Sequence, residues 1–409
     1  MAGEELMRVE EALASVLARA MPLESETVPL AQACGRTLAQ DVASTRTQPP
    51  FDVSAMDGYA LRAADCAGAP ARLHVIGAST AGHSFPGAVG AGEAVRIFTG
   101  AAVPDGADSV LIQENATAEG DHVIAREPVA RGRNIRRAGL DFSARDVLLR
   151  AGRRLDANEL ALAAAMNHPA LPVVRRPRVA ILATGDELVR PGVQPGPDQI
   201  VASNSFAIAA HVLAAGGEPV DLGIAADTFE ALEAGIAAAQ SARADVLVTL
   251  GGASVGDHDL VKSALARQGM TLGFWRIAMR PGKPLIHGHL GAMHILGLPG
   301  NPVSSIVCGI LFLIPLVRAL SGDPKAGAEI TEPAILGMAV QANDGRQDYL
   351  RAALTFDVAG HCIATPFPRQ DSSMLRILAE AECLLVRAPH APAAVAGDAC
   401  RIVRLDRRA

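Results

Sequence analysis

The run GGASVG at 251–256 ends in Asp257-His258-Asp259, and an apolar pentapeptide, VLVTL, leads into it. Glycines allow a ligand to approach the backbone closely. Acids at the end of such a loop suit a divalent cation or a proton transfer. The run has neither the Lys-Ser/Thr of a Walker A loop nor the spacing of GxGxxG, so alone it reads equally as a tight strand-to-helix turn. Asp259 also suits the cap of a following helix, which leaves one of the two acids for a metal or a proton. His258 reads as a solvated loop residue or as a catalytic base. A second segment, LPGNPVSS at 298–305, precedes a long apolar stretch. Its backbone N–H groups and the Ser304 and Ser305 hydroxyls would hold an anion at a helix start, or would only cap the helix. Just upstream, Arg280-Pro-Gly-Lys283 supplies two cations. Anion donors beside carboxylates suggest magnesium bridging phosphates, a hard oxygen-ligand site and not a zinc site.

Two further patterns carry potential chemistry. His287 and His289 share one face of a strand; the spacing admits a metal pair, but the expectation is two surface histidines. In PPFDVSAMDGYA at 49–60, Asp52 and Asp57 stand among apolar residues without a helical period. A loop packed on Phe51, Met56 and Tyr59 accounts for the apolar residues. It does not account for Asp57, which costs free energy if buried unpaired.

The elements that must position these residues follow from periodicity. Residues 5–20 carry Leu6, Val9, Leu13, Val16 and Leu17 at helical spacing. From 25 to about 154, short apolar pieces at 73–76, 94–98 and 109–113 are separated by Gly, Pro and Asp, which predicts a β-rich segment. Residues 155–166 read as a helix behind Asp156. From 178 to about 322, strands and helices alternate. A strand at 179–183 ends in Thr-Gly-Asp-Glu187; a helix at 204–215 stops at Gly216-Gly217. A strand follows at 219–224, then a capping box at Asp227-Thr-Phe-Glu230 opening a helix to about 241. VLVTL, a helix near 259–267, strands at 272–279, around 285 and at 295–298, and a helix at 301–320 complete the pattern. Such alternation implies a mostly parallel sheet covered on both faces, with ligands outside the carboxyl ends of the strands. Beyond a Pro/Gly-rich linker, short pieces at 335–340, 349–356, 361–365, 383–386 and 399–405 suggest a small β-barrel or sandwich.

Composition bounds the function. At 409 residues, two to four domains are expected. A net charge of −6 and a pI near 6.0 argue against a nucleic-acid coat protein. The six cysteines form no CxxC pair and read as reduced packing thiols. Residues 1–6 show no apolar core of a signal peptide, and the apolar run 306–317 is too short for a membrane span and holds Pro315. The expectation is a soluble cytoplasmic protein with no nucleic-acid or membrane partner.

Together the segments PPFDVSAMDGYAL, RIFTGAAVP, NIRRAGLD, ATGDELV, TLGGASVGDHDLVK, MRPGKPL and GLPGNPVSS resemble the molybdopterin molybdenumtransferases, the MoeA family and the E domain of gephyrin. The resemblance covers nearly the whole chain. It implies a multidomain fold: an N-terminal helix at 1–21 packing on the α/β domain, a linking domain from 22–45 and 146–176, an extended β-rich domain at 46–145, a MogA-like α/β molybdopterin-binding domain at 177–322, and a C-terminal β-barrel at 328–409. It implies an enzyme that takes adenylylated molybdopterin and molybdate, inserts molybdenum and releases AMP, with Mg2+ as cofactor. It also implies a homodimer whose sites are shared between subunits, so that Asp57 acts in trans, and it admits other cofactor-biosynthesis proteins as partners. Catalytic positions by resemblance are Asp57, Glu187, Asp227, Asp257 and Asp259, with Glu187 and Asp257 as metal ligands. Substrate-binding positions are Thr99, Asp141, Ser254, Arg276, Arg280, Lys283, Pro299, Pro302, Arg351 and Ser372. The pterin supplies the sulfurs that take molybdenum, so the protein needs no cysteine cluster. Arg280 and Arg276 stand where relatives often carry lysine, so fork geometry replaces a point charge. Leu140 replaces a frequent glutamate, and the stretch around Ser372 matches only loosely. A non-catalytic molybdopterin-binding scaffold on the same fold, or tungstate insertion, are the alternatives. Keeping all the acids and cations argues against pure scaffolding.

Overall fold

The computed structural model describes residues 6–252 and 260–405. The chain forms two compact units. One comprises residues 27–34 and 40–171; the other takes the remaining described residues.

The first unit is β-rich. Strands β1 (Gly58–Leu61), β2 (Ala71–Ser79), β3 (Glu93–Ile97), β4 (Ser109–Ile112), β5 (Ala116–Glu119) and β6 (His122–Ala125) form a sheet in the order β4-β1-β3-β2-β6-β5. Only the β2–β3 pair is parallel. Successive side chains point to opposite faces, and both faces are filled. Tyr59, Leu61, Leu73 and Leu111 enter one cluster; Ala60, Val95, Ile97 and Val110 enter the other. Gly58 is required at the β1–β4 contact, because a Cβ there would lie 1.9 Å from the Leu111 carbonyl oxygen. Helix Ala157–Ala165 starts as expected behind Asp156, whose carboxylate accepts from the Asn158 and Glu159 N–H groups while Glu159 returns to the Asp156 N–H.

The second unit carries the α/β sheet, in the order β8-β7-β9-β12-β11-β10: β7 (Arg178–Thr184), β8 (Glu218–Ala225), β9 (Val246–Leu250), β10 (Thr271–Arg276), β11 (Pro284–Leu290) and β12 (Met293–Leu298). The first four strands in that order are parallel, and β11 and β10 complete the sheet antiparallel. Helices α1 (Asn204–Ala215), α2 (Phe229–Ser241), α3 (Leu260–Arg267) and α4 (Pro302–Leu320) connect and cover it. All five residues of β9 are buried. Val246, Val248 and Leu250 face α1, α4 and the N-terminal helix Val9–Leu17, while Leu247 faces α2 and α3. Each such Val or Leu contributes about 1.5–3 kcal/mol over an exposed position. This double coverage explains why the strand reads VLVTL and not as an apolar–polar alternation. Helix α4 has the length and composition of a membrane span, yet 72% of it is buried inside the protein. It is a core helix, apolar all round because it is covered all round.

Two details depart from sequence expectation. The cap of α2 is Thr228, whose hydroxyl accepts the Ala231 N–H at 3.2 Å. The expected capping box at Asp227 and Glu230 does not form. Thr228 already satisfies the exposed donor, so Asp227 is released from capping. The second departure is within α4, where residues Gly309–Leu313 form a π turn that periodicity does not reveal.

Strands β13 (Thr331–Leu336), β14 (Gln347–Phe356), β15 (Cys362–Pro366), β16 (Cys383–Arg387) and β17 (Ala399–Arg404) close a barrel. The order is β14-β15-β13-β17-β16, and β16 pairs back on β14. Ala334, Leu336, Ala352, Ala364, Leu385 and Ile402 fill it. Helix α5 (Leu375–Glu380) lies between β15 and β16 in the chain.

Candidate active site

The carboxyl ends of β7, β9 and β12 open on a crevice of about 620 Å3. Its lining includes Thr184, Gly185, Glu187, Asn204, Asp227, Gly251, Gly252, Pro299, Asn301, Pro302 and Ser373. The strands end together because they run in parallel register: Thr184 pairs with Ala225, and Leu250 with Leu298. Gly251 has φ +102°, and a Cβ there would lie 2.7 Å from the Thr184 carbonyl oxygen. Its N–H donates to the Leu298 carbonyl at 3.1 Å. The first glycine of the loop is therefore fixed by backbone crowding, whatever else the loop does. Ser254, Asp257 and Asp259, with His258, lie outside the described residues.

One wall is acidic. The loops after β7 and β8 bring Asp186, Glu187 and Asp227 together, and the Asp227 N–H donates to Asp186 Oδ1 at 3.1 Å. Partial burial pushes the Asp227 carboxyl above its ordinary range, and the negative charges of Asp186 and Glu187 add to the effect. Asp186 is the group sequence reading missed. It sits directly before the expected Glu187 in TGDE, and its signal was two adjacent acids at one strand end.

The other wall supplies donors. Asn301 caps α4 with its backbone, and its side-chain amide donates to Ser372 Oγ at 3.0 Å instead of capping. The Val303 N–H donates to the Ser372 carbonyl at 3.0 Å. The turn holding Ser372 is thus pinned to the helix start, and its neighbour Ser373 lines the crevice. Arg351 lies beneath this turn at 1% exposure. Its backbone N–H donates to Gln370 Oε1 at 2.9 Å and its Nη2 to the Asp371 carbonyl at 3.0 Å. Its Nε has no partner, and burial lowers its pKa.

The two cations of the RPGK turn part company. Arg280 pairs with Asp344 and, at 3.5 Å, with Asp348 of the barrel, because the short strand Met279–Arg280 pairs with the start of β14. Its charge is already compensated. Lys283 makes no ion pair among the described residues and precedes the crevice residue Pro284. Gly282 packs the turn against α4: a Cβ there would lie 2.5 Å from Cys308 Sγ. Arg276 stacks on Trp275, 4.0 Å from the ring centroid, and does not line the crevice.

The remaining expected residues lie in the first unit. Asp57 accepts the Thr99 N–H and hydroxyl at 2.7 and 2.8 Å. Those bonds hold its carboxyl below the usual range, with Arg96 assisting. Asp57 is half-exposed and satisfied, which resolves the cost of an unpaired acid. Residues 135–136, just upstream of Asp141, pair with 53–54 next to that loop, and the Asp141 N–H donates to the Gln48 carbonyl at 3.0 Å. The expected packing of this loop is only partly realised. Tyr59 is buried, but Phe51 and Met56 are exposed, as are Phe98 and Leu140. The histidine expectation also fails: His287 and His289 are buried, because the strand carrying them is covered on both faces.

Residues 7–167 match the family described as MoeA N-terminal region (domain I and II), residues 180–319 the probable molybdopterin binding domain, and residues 333–405 the MoeA C-terminal region (domain IV). The chain is 35% identical to the molybdopterin molybdenumtransferase of Haemophilus influenzae, over 89% of this chain and 90% of that one. It is 33% identical to that of Bacillus subtilis, over 92% and 89%. Among solved structures, the molybdopterin biosynthesis MoeA protein from Pyrococcus horikosii superposes with a TM-score of 0.83 at 31% identity, covering 98% of this chain and 99% of that one.

Proposed function

The chain belongs to the molybdopterin molybdenumtransferase family, the transferases that insert molybdenum in molybdenum cofactor biosynthesis, and on that premise we propose how its crevice divides the work. The substrates are adenylylated molybdopterin and molybdate, and the products are AMP and the molybdenum-loaded pterin. The enzyme acts in the cytoplasm as a homodimer, with Asp57 and Thr99 of one subunit completing the crevice of the other.

What supports this division is a single arrangement: an acidic wall, with no Lys or Arg among the described residues lining the crevice, faces a donor-rich wall. Glu187 and Asp227 line the crevice, and their carboxylates are of the hard-oxygen kind that suits magnesium. Glu187 and Asp227 would hold the ion, with Asp257 as a further ligand, and Asp186 orients Asp227 through its backbone N–H. The ion supplies charge neutralisation for the phosphates of the adenylate. Without such an ion the phosphates and the acids would repel. A carboxylate of this wall then positions the attacking water for cleavage of the adenylate bond.

The opposite wall takes the oxyanion. Molybdate is a dianion, and it meets Lys283, the α4 start at Pro299–Pro302 and the Ser372 turn, which rests on the buried Arg351 guanidinium. Arg280 holds the barrel strand and its acids, and reaches the oxyanion only through that scaffold. No protein sulfur takes part. The family resemblance places the molybdenum-binding sulfurs on the pterin, and burial pushes the Cys308 thiol behind the turn far up.

Incubation with adenylylated molybdopterin, with and without molybdate, tests the reading. AMP release that requires molybdate is expected. Binding of the pterin without any AMP release would make the protein a scaffold and overturn the proposal.

A further inference from the structure

The sequence His-x-His-x4-His, residues 287, 289 and 294, spans the β11–β12 hairpin. His287 and His289 alternate along β11 and so share a face; His294 is the register partner of His289 on β12. The three rings form one stack of contacts, with centroids 5.0 Å apart for His287–His289 and 4.6 Å for His289–His294. Phe274 of β10 closes the His287 side, 5.2 Å between ring centroids. The three are 1%, 8% and 3% exposed. Four of their ring nitrogens have no hydrogen-bond partner: both of His287, Nε2 of His289 and Nδ1 of His294.

Buried polar atoms ordinarily find partners, and each orphan costs about 1–3 kcal/mol. Three orphaned imidazoles in contact are the donor set of a borderline transition metal. We propose that His287, His289 and His294 bind one divalent transition-metal ion of the Zn2+ class, a site separate from the acidic wall of the crevice. One ligand nitrogen from each residue lies within 4.8 Å of the others. Two nitrogens on one tetrahedral ion stand roughly 3.4 Å apart, from Zn–N bonds of about 2.0–2.1 Å. The rings must therefore close by about an ångström, which small rotations supply. Gly273 leaves room beside His287: a Cβ there would lie 2.9 Å from Nδ1. His289, the most exposed of the three, gives the ion its entry and its fourth, water-filled position.

The surroundings fit a structural ion and not a catalytic one. The crevice lies where β12 ends, at Leu298, and β11 begins, at Pro284; His289 and His294 lie at the other end of both strands and His287 midway along β11. The charged neighbours that bear on the site are Arg19, which opposes a cation, and Asp245, which favours one. Burial, helped by the neighbouring histidines, holds His287 at about 3, and burial with His289 and Arg19 holds His294 at about 4. Both imidazoles are thus neutral, the form that ligates. The bound ion would tie β11 to β12 and stiffen the edge of the sheet that leads into the RPGK turn.

The test uses the untagged full chain stripped with chelator and titrated with Co2+. We expect one Co2+ per chain with the intense visible bands of a four-coordinate site of three nitrogens and one water, displacement by Zn2+, and a rise in Tm. The H289Q and H294Q chains should bind at least tenfold more weakly and lose those bands, while E187Q and D227N chains keep them. Two variants guard against one failing to fold. Wild-type chain that shows no four-coordinate Co2+ spectrum, or H289Q and H294Q chains that keep it, would overturn the proposal and leave the three as buried histidines satisfied by water. No readout depends on AMP release, so the site stands or falls apart from the reaction proposed above.

Discussion

Asp227 and Asp245 stand at opposite ends of one sheet, and their surroundings are opposite too. Asp245 precedes β9 at the amino end. It accepts from both Nη atoms of Arg175 at 2.7 Å and from the Arg178 N–H at 2.8 Å. Asp227 follows β8 at the carboxyl end, beside Asp186 and Glu187, with its pKa raised. The difference teaches how one sheet separates its tasks. The end that only has to fold pairs its charges. The end that carries the crevice leaves like charges together, which a bound cation would reconcile.

The comparison breaks most sharply if amide variants at the two ends behave alike. E187Q should lose about 10²–10⁴-fold in AMP release, the range for a lost proton-transfer or metal-holding carboxylate, with Tm nearly unchanged. D57N should do the same from the other unit. Mixing the two inactive chains should restore about a quarter of wild-type turnover, since half the dimers are mixed and each has one intact site. No recovery on mixing would place both acids in one subunit's site.

Next in size is the oxyanion wall. K283A should weaken molybdate about ten- to a hundred-fold, from the loss of a charge-assisted bond of about 1.5–3 kcal/mol, and spare pterin binding. R280A should affect molybdate less, because Arg280 is already paired with Asp344 and Asp348. Equal effects of the two on the molybdate dependence of AMP release would mean that Arg280 leaves its acids to meet the oxyanion.

At the amino end, D245N removes the anion from a bidentate pair that is largely shielded. A loss of about 1.5–3 kcal/mol in denaturant unfolding is expected, with turnover per folded molecule preserved. Stability kept and turnover lost would reverse the assignment of the two ends.

How much of this was legible in the sequence depended on whether the signal was local. Helix α1 and its Gly216 stop, the buried VLVTL strand and the Asp156 cap all follow from neighbours in sequence, and all formed as expected. The carboxyl-end crevice followed from alternation alone. The failures are non-local. Asp227 looked like a cap because the adjacent Thr228 offers the same chemistry, and Thr228 takes the Ala231 N–H while the Asp227 N–H is held by Asp186, some forty residues away. Arg280 and Lys283 looked equivalent in RPGK, until β14 brought Asp344 and Asp348 to one of them. His287 and His289 looked exposed because burial of a hairpin depends on what packs over it, and His294 joined them only through strand register. The exposed Phe51 and Met56 looked like loop packing, since no local pattern tells an inward apolar residue from one left at the surface.

The smallest expected effect tests the comparison at its root. If the acids of the crevice end are held against their own repulsion, removing one should not weaken the fold. A carboxyl whose folded pKa is raised contributes stability that is fully present below its unfolded value of 3.8 and is lost as pH rises through the folded value. D227N has no such loss. Its Tm should match wild type near pH 3.5 and exceed it slightly at pH 7, within the roughly 0.5 kcal/mol of a surface substitution, because the group is solvent-screened. Magnesium at millimolar concentration should close the gap at pH 7 by stabilising wild type alone, since only wild type keeps the full acid set. A D227N chain that is less stable than wild type at pH 7 in the absence of magnesium would show that Asp227 is paired after all, and the two ends of the sheet would then obey the same rule.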